Sequence, residues 1–249
     1  MNLSRHLRIK KGQKRPFTHV IFTRYALSFD GKPLSDDWLR SRRTLFERIT
    51  IPAINAQTDS NFTWIILMDK SILENETEYL RPLITSQATV IFVAGSSPFE
   101  HDPLYWQTLL PANVRERKLL TTRLDSDDWI HPRFVRYVQK AAQECKKNSV
   151  ILFPIGLNID ILRLRLKVMF FPNNQFASFL ENPTQYPFQT VHKVDHVQLS
   201  RQERVKWCFP PIFPWAMVIH EKNILNISRG VTIPKSGIKF IAALHTDLT

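Results

Sequence analysis

The sequence predicts an α/β fold, a mostly parallel central sheet flanked by helices in a single domain, and three observations carry that expectation. Short apolar, β-branched runs recur at residues 19–27, 64–68, 88–94 and 119–124, each of strand length. Segments with helix-start residues and a helical apolar face lie between or after them. Strands that alternate with helices need crossover connections, and such crossovers make neighbouring strands parallel. With 249 residues, 43% of them hydrophobic and 22% charged, the chain can bury one substantial core. Residues 1–16, which include the basic run RHLRIKKGQKR, are set apart as an N-terminal arm. Residues 17–249 form the domain, with one half to about residue 130 and the other from 131 onward.

Taken in order, HVIFTRYAL is the first strand and FDGKP a turn. Ser35 is an N-cap for a helix through about Ile49, with Trp38, Leu45, Phe46 and Ile49 on one face and Asp36 and Asp37 at the end favoured by the helix dipole. IPAINAQTDSNF leads into the strand Trp64–Met68, which closes at Asp69. A helix spans Ser71–Ile84, and Ala88–Ala94 is a third strand. SSPFEHDPLYWQ is an irregular loop. After the fourth strand Pro132 opens a helix to about Lys147, and Ser149–Phe153 is a buried strand. Residues 159–171 alternate in part, so that Arg163, Arg165 and Lys167 share one face of a strand, a pattern more often solvated than functional. The aromatic last third shows no regular element beyond short strands.

Composition limits the chemistry. Six glycines against sixteen prolines, with neither a Walker sequence nor GxGxxG, argue against a glycine-rich phosphate loop. A net charge of +12 points to an anionic partner: a sugar nucleotide, nucleic acid or an acidic membrane surface. Cys145 and Cys208 have no CxxC spacing and read as free thiols in a reducing compartment. The N-terminus has no signal-peptide apolar region, and no run approaches the ~18 apolar residues of a spanning helix. A cytoplasmic protein, with peripheral membrane contact through its basic residues, is the expectation.

LLTTRLDSDDW, residues 119–129, concentrates the chemistry. A strand ends on Asp125, Ser126, Asp127 and Asp128, where helix capping would require one such residue. Carboxylates at a strand end suit Mg²⁺ or Mn²⁺ with open positions for phosphates. Ligands of parallel sheets gather at the carboxyl ends of strands, so Asp69 and Asp125 can face one crevice.

HVIFTRY, PAINAQTDSNFTWIILMD, TRLDSDDWI and WAMVIHEKN occur in the order of the signature segments of the rhamnosyltransferase family, and the chain from Thr18 to Asn226 resembles that family of GT-A type (Rossmann-like) glycosyltransferases. The resemblance implies a nucleotide-sugar donor (a dTDP- or UDP-sugar, with rhamnose as the candidate sugar) held by the first half. A polysaccharide or lipid-linked acceptor is held by the second half. By position it places Thr23, Arg24 and Asp69 near the base or ribose and Arg123 and Asp125 on ribose or sugar. Asp127 with Asp128 holds Mn²⁺ or Mg²⁺, and His220 completes the metal or diphosphate site. Ser126 and Trp129 are bystanders. Glu221 stands where the family usually has a small residue.

An inverting transfer also needs a base for the acceptor hydroxyl. Asp195, with His196 beside it, is the candidate; Glu181 and Glu221 are rivals. Trp106, Trp207 and Trp215 can stack on a sugar, although packing is the commoner fate of tryptophan. Two other functions compete. A nucleotidyltransferase also uses clustered aspartates but wants a glycine-rich loop. A nucleic-acid-binding module fits the charge but not an acidic crevice, so no specific nucleic acid is expected.

Overall fold

The computed structural model describes residues 16–27, 34–94, 105, 108–110, 114, 117–182, 188–192, 194–220 and 229–233. Two sheets organise them. The first has seven strands in the order β10-β6-β9-β4-β1-β2-β3, formed by β1 (Phe17–Ala26), β2 (Thr63–Met68), β3 (Thr89–Ala94), β4 (Lys118–Arg123), β6 (Ser149–Leu152), β9 (Ser178–Glu181) and β10 (Val205–Trp207). β4, β1, β2 and β3 run parallel to one another, and β10 runs parallel to β6. β9 alone runs against its neighbours. The predicted α/β architecture with a mostly parallel central sheet is therefore the architecture of the chain. Its central strands read as unbroken apolar runs because both faces are covered. Ile21, Trp64, Ile66 and Leu120 fill one core, while Val20, Phe22, Ile65, Leu67 and Leu119 fill the other.

The second sheet was not legible in the sequence. It has the order β12-β8-β7-β11-β5, from β5 (Trp129–Ile130), β7 (Ile155–Asp160), β8 (Arg165–Phe170), β11 (Trp215–Ile219) and β12 (Val231–Thr232). The single strand expected over residues 159–171 is instead the end of β7, a turn, and β8 returning antiparallel. Arg163 lies in that turn, where its backbone N–H and Nη1 donate to the buried Asp160 carboxylate at 2.9 and 3.2 Å. The expected basic comb on one strand face is thereby broken, because the turn removes Arg163 from the strand.

The first helix also differs from expectation. Ser35 caps α1 (Asp36–Leu45) by accepting from the Trp38 N–H at 3.3 Å, but the chain stays helical beyond Ile49, through a π-helical stretch, Phe46–Thr50, into α2 (Ile51–Asn55). Pro52 has no N–H for the carbonyl one turn back, and its ring would press on that carbonyl. The wider π turn accommodates it without ending the helix. Gln57 then ties α2 to α4 (Phe134–Glu144): its Nε2 donates to the Ala53 and His131 carbonyls at 2.8 and 3.0 Å, and its Oε1 accepts from Val135 N–H at 3.1 Å. α3 (Leu73–Leu80) crosses from β2 to β3, and α5 (His196–Gln202) precedes β10. Cys145 and Cys208 are both free thiols. No described helix is long and apolar enough to cross a membrane.

Trp215 anchors the start of β11. Its indole N–H donates to the Phe153 carbonyl at 2.7 Å and its ring stacks on Phe176 at 4.9 Å. It is wholly buried, which settles it as a packing residue, whereas Trp207 is exposed and Trp106 lies outside the described residues. Gly156 is what lets β7 pass that ring: a Cβ there would fall 2.3 Å from the indole carbons. Because the ring is held on two sides, Gly156→Ala is expected to cost about 1–3 kcal/mol by overpacking. Urea unfolding checks this, and an unchanged midpoint would contradict the close packing.

Candidate functional site

The carboxyl ends of β1, β2 and β4 place Arg24, Asp69 and Arg123 along one edge of the first sheet. Leu124 N–H still donates to the Phe22 carbonyl at 3.0 Å, and Asp69 N–H to that of Ala26 at 2.7 Å. The register between β1 and β2 skips Tyr25, an irregularity of the kind that re-aims side chains beside sites. From β4 the chain turns through Asp125–Asp128 and enters the second sheet at β5. The acidic turn is thus the junction of the two sheets.

Its three carboxylates have three different environments. Asp125 is gripped by Arg123 in a bidentate pair at 2.9 and 3.0 Å, with the Arg24 guanidinium at 3.9 Å. Burial pushes its carboxyl up, but the Arg123 and Arg24 charges outweigh burial and hold it well below the usual aspartate range. Asp127 presents Oδ2 to Nη1 of Arg42 at 2.9 Å and to Nε2 of His220 at 3.0 Å. Asp128 is wholly buried: Oδ2 accepts from Gln175 Nε2 at 2.9 Å and Oδ1 from the Val218 N–H of β11 at 3.1 Å. Burial, then the neighbouring Asp127 and Asp125 charges, raise its pKa well above the ordinary value.

These environments revise the residue expectations. Asp128 is not presented to solvent beside Asp127 as the expected ion site requires, because its side chain is wholly buried and each oxygen meets a donor from the protein interior. His220 does meet Asp127, through a contact spanning 93 residues. Thr23 is fully buried and its hydroxyl accepts from the Trp64 indole at 2.9 Å, so it ties β1 to β2 rather than facing a base or ribose. Asp69 accepts from Ser71 N–H and Oγ at 2.9 and 2.7 Å, shaping the turn that leads into α3 at the crevice edge. Ser126 is no bystander: its hydroxyl accepts from Arg42 at 3.2 Å and donates to the Tyr25 carbonyl at 3.3 Å.

The second half contributes Asp195 and His196. Asp195 caps α5 by accepting from Val197 N–H at 3.2 Å, and His196 Nδ1 lies 2.7 Å from the same carboxylate. Burial, with the Arg123 charge next, lowers the His196 pKa, and the Asp195, Asp125 and Arg24 charges also act on this ring. The rival Glu181 is buried, its two oxygens accepting from Gln189 and Thr190 N–H at 2.8 Å each. This clamp holds Thr190 at φ +62°, a left-handed backbone that a β-branched residue rarely adopts. Glu221 lies outside the described residues.

Among the described residues no three or more His, Cys, Asp or Glu side chains gather as a metal would need. The donor set does not fit the expected divalent ion. Asp128 is wholly buried with a donor on each oxygen, and Asp127 Oδ2 already meets a guanidinium and the His220 ring. Like unit charges ~4 Å apart repel by roughly 4 kcal/mol at an effective dielectric of ~20, and a divalent ion doubles that. Sequence reasoning missed Arg42. The only local signal is its i, i+4 spacing from Trp38, over whose ring the guanidinium lies at 5.2 Å.

The depressed Asp125 pKa has a sign that can be checked. Asp125 binds its proton less readily folded than unfolded, so its contribution is complete above about pH 4, the unfolded aspartate range. It is lost as the pH falls from there through the folded value. The stability deficit of Asp125→Asn against wild type is therefore expected to be full at pH 7 and to shrink between about pH 4 and pH 2. Urea midpoints across that range measure it, and a deficit that grows on acidification would refute the assignment.

Comparison with solved structures finds a 4-diphosphocytidyl-2C-methyl-D-erythritol synthase from Anaerococcus prevotii at 15% identity, over 92% of this chain and 98% of that one, with a TM-score of 0.42. HddC from Yersinia pseudotuberculosis is similar at 9% identity over 78% and 90% of the two chains, also with a TM-score of 0.42. No curated protein matches the chain. The model of the family described as putative rhamnosyl transferase matches residues 33–161, just over half of the sequence, a span that includes α1, the acidic turn and β7. The chain belongs to that family.

Proposed function

We propose that the chain transfers a sugar, with rhamnose as the first candidate, from a nucleotide-diphosphate donor to a glycan or lipid-linked acceptor with inversion. Family membership supports glycosyl transfer. The single observation that carries the site is the convergence of Arg24, Arg123 and Arg42 on Asp125 and Asp127 at the strand ends. Guanidinium groups bind phosphate oxygens through paired, charge-assisted N–H donors, while Asp125 offers acceptors for ribose or sugar hydroxyls.

In this reading the acceptor oxygen bonds to the anomeric carbon as the bond from that carbon to the phosphate oxygen breaks. The bonding pair leaves with the nucleoside diphosphate, and the acceptor proton passes to the Asp195–His196 pair. The lowered His196 pKa favours a neutral ring that can take a proton near neutral pH. His220, against Asp127, stands on the second-sheet side of the same carboxylate.

The direct test is a panel of dTDP-, UDP- and GDP-sugars assayed for release of nucleoside diphosphate. Release of pyrophosphate from a nucleoside triphosphate and a sugar phosphate, with no diphosphate release from the panel, would instead favour a nucleotidyltransferase. Two variants sharpen it. Arg123→Ala removes a charge-assisted contact worth about 1.5–3 kcal/mol, so kcat/KM should fall about 10- to 100-fold. Asp195→Asn keeps an effective helix cap but loses the basic oxygen, so kcat should fall about 10²–10⁴-fold with donor affinity nearly unchanged. An Asp195→Asn enzyme of full kcat would move the base elsewhere.

A further inference from the structure

We infer that Arg42 takes the place of a divalent cation at this acidic turn, so that the donor diphosphate is held and its departing charge received without a metal. The inference rests on the nucleotide-diphosphate reading above and specifies its electrostatics.

Four observations lead to it. The Arg42 guanidinium lies 2.9 Å from Asp127 Oδ2, so the carboxylate already has a cationic partner. The same Nη1 donates to Ser126 Oγ at 3.2 Å, and Ser126 is itself fixed to the backbone of β1. The Arg42 side chain is only 13% exposed and its guanidinium lies over the Trp38 ring, so its position is set before any ligand arrives. Asp128, the second carboxylate a metal would recruit, is committed to Gln175 and to the Val218 amide.

A guanidinium has five N–H donors in a planar fork. Asp127 and Ser126 engage Nη1 alone, and among the described residues nothing engages Nε or Nη2, which leaves an edge suited to two phosphate oxygens. Arg24 and Arg123 extend the cationic rim along the neighbouring strand ends. When the bond between anomeric carbon and phosphate oxygen breaks, the added negative charge falls on the diphosphate. A preset cation stabilises that charge without reorganisation, as a metal would. Asp127 then positions Arg42 rather than an ion, and His220 braces the same carboxylate oxygen from the side of β11.

Binding distinguishes this from its premise. UDP, dTDP and GDP are titrated into the full chain by calorimetry, in EDTA and in Mn²⁺. At least one diphosphate should bind equally well, within about twofold, in both buffers. Arg42→Ala should raise its Kd in EDTA by about tenfold or more, and Arg42→Lys, which keeps the charge but not the fork, by several-fold. Circular dichroism and urea midpoints report folding of each variant; if Arg42→Ala does not fold, Arg42→Lys decides. Binding that needs Mn²⁺ overturns this inference and leaves the nucleotide reading standing. So does unchanged affinity in EDTA for the folded Arg42 variants. Binding in neither buffer overturns both.

Discussion

Everything at the strand ends depends on one buried carboxyl. Asp128 is inaccessible to water, yet it accepts from a side chain of the first sheet's return loop, Gln175, and from a backbone amide of the second sheet, Val218. A carboxyl taken out of water costs several kcal/mol unless its oxygens are matched by donors, and here each has one. Thr50 Oγ1 donates to the Asp128 carbonyl at 3.0 Å, so the helical stretch before α2 is fastened to the same residue. With the turn fixed from inside, Asp125 and Asp127 have no freedom to fold inward and must meet the arginines.

The same device recurs across the core. Tyr25 donates to the buried Glu76 at 2.7 Å, Arg43 pairs with Glu76, and Arg43 lies over Tyr79 at 4.3 Å. That network joins β1, α1 and α3. Burial and the Glu76 carboxylate push the Tyr25 hydroxyl pKa upward, keeping it a donor. On β1, His19 contacts Thr122 Oγ1 at 2.8 Å, Thr122 contacts Ser178 at 2.7 Å, and Gln139 Nε2 lies 3.1 Å from the other nitrogen of His19. Polar groups at such depth fix register and orientation more than they add stability, because each net hydrogen bond contributes only about 1 kcal/mol while an unmet one costs more. Of the two networks, the Tyr25–Glu76–Arg43 one ties α1, the helix that carries Arg42, to β1 and α3.

The site is therefore a balance of fixed charges. Arginines outnumber the carboxylates that face them, which fits a chain of net charge +12 and a polyanionic ligand. The Asp195–His196 pair belongs to the other half, at the N-terminus of α5, where the helix dipole favours a carboxylate. In the proposed reaction, charge at the leaving group and a proton acceptor at the incoming hydroxyl would come from different halves of the molecule.

By itself the sequence determined the strands β1 to β4, the helix cap at Ser35, the acidic strand end and the order of the segments that carry family resemblance, because period, capping and turn chemistry act over a few residues. The acidic cluster after β4 could be read locally, while Arg24 and Arg123 came as candidates only through the family resemblance. Tertiary structure decided which carboxylate does what. Asp127 and Asp128 are adjacent and chemically alike, yet pleating and the entry into β5 send one to Arg42 and His220 and the other to a buried amide. Arg42 and Ser126 lie 84 residues apart, and no local pattern encodes such a contact. It exists because α1 packs against β1 and so carries Arg42 to the acidic turn.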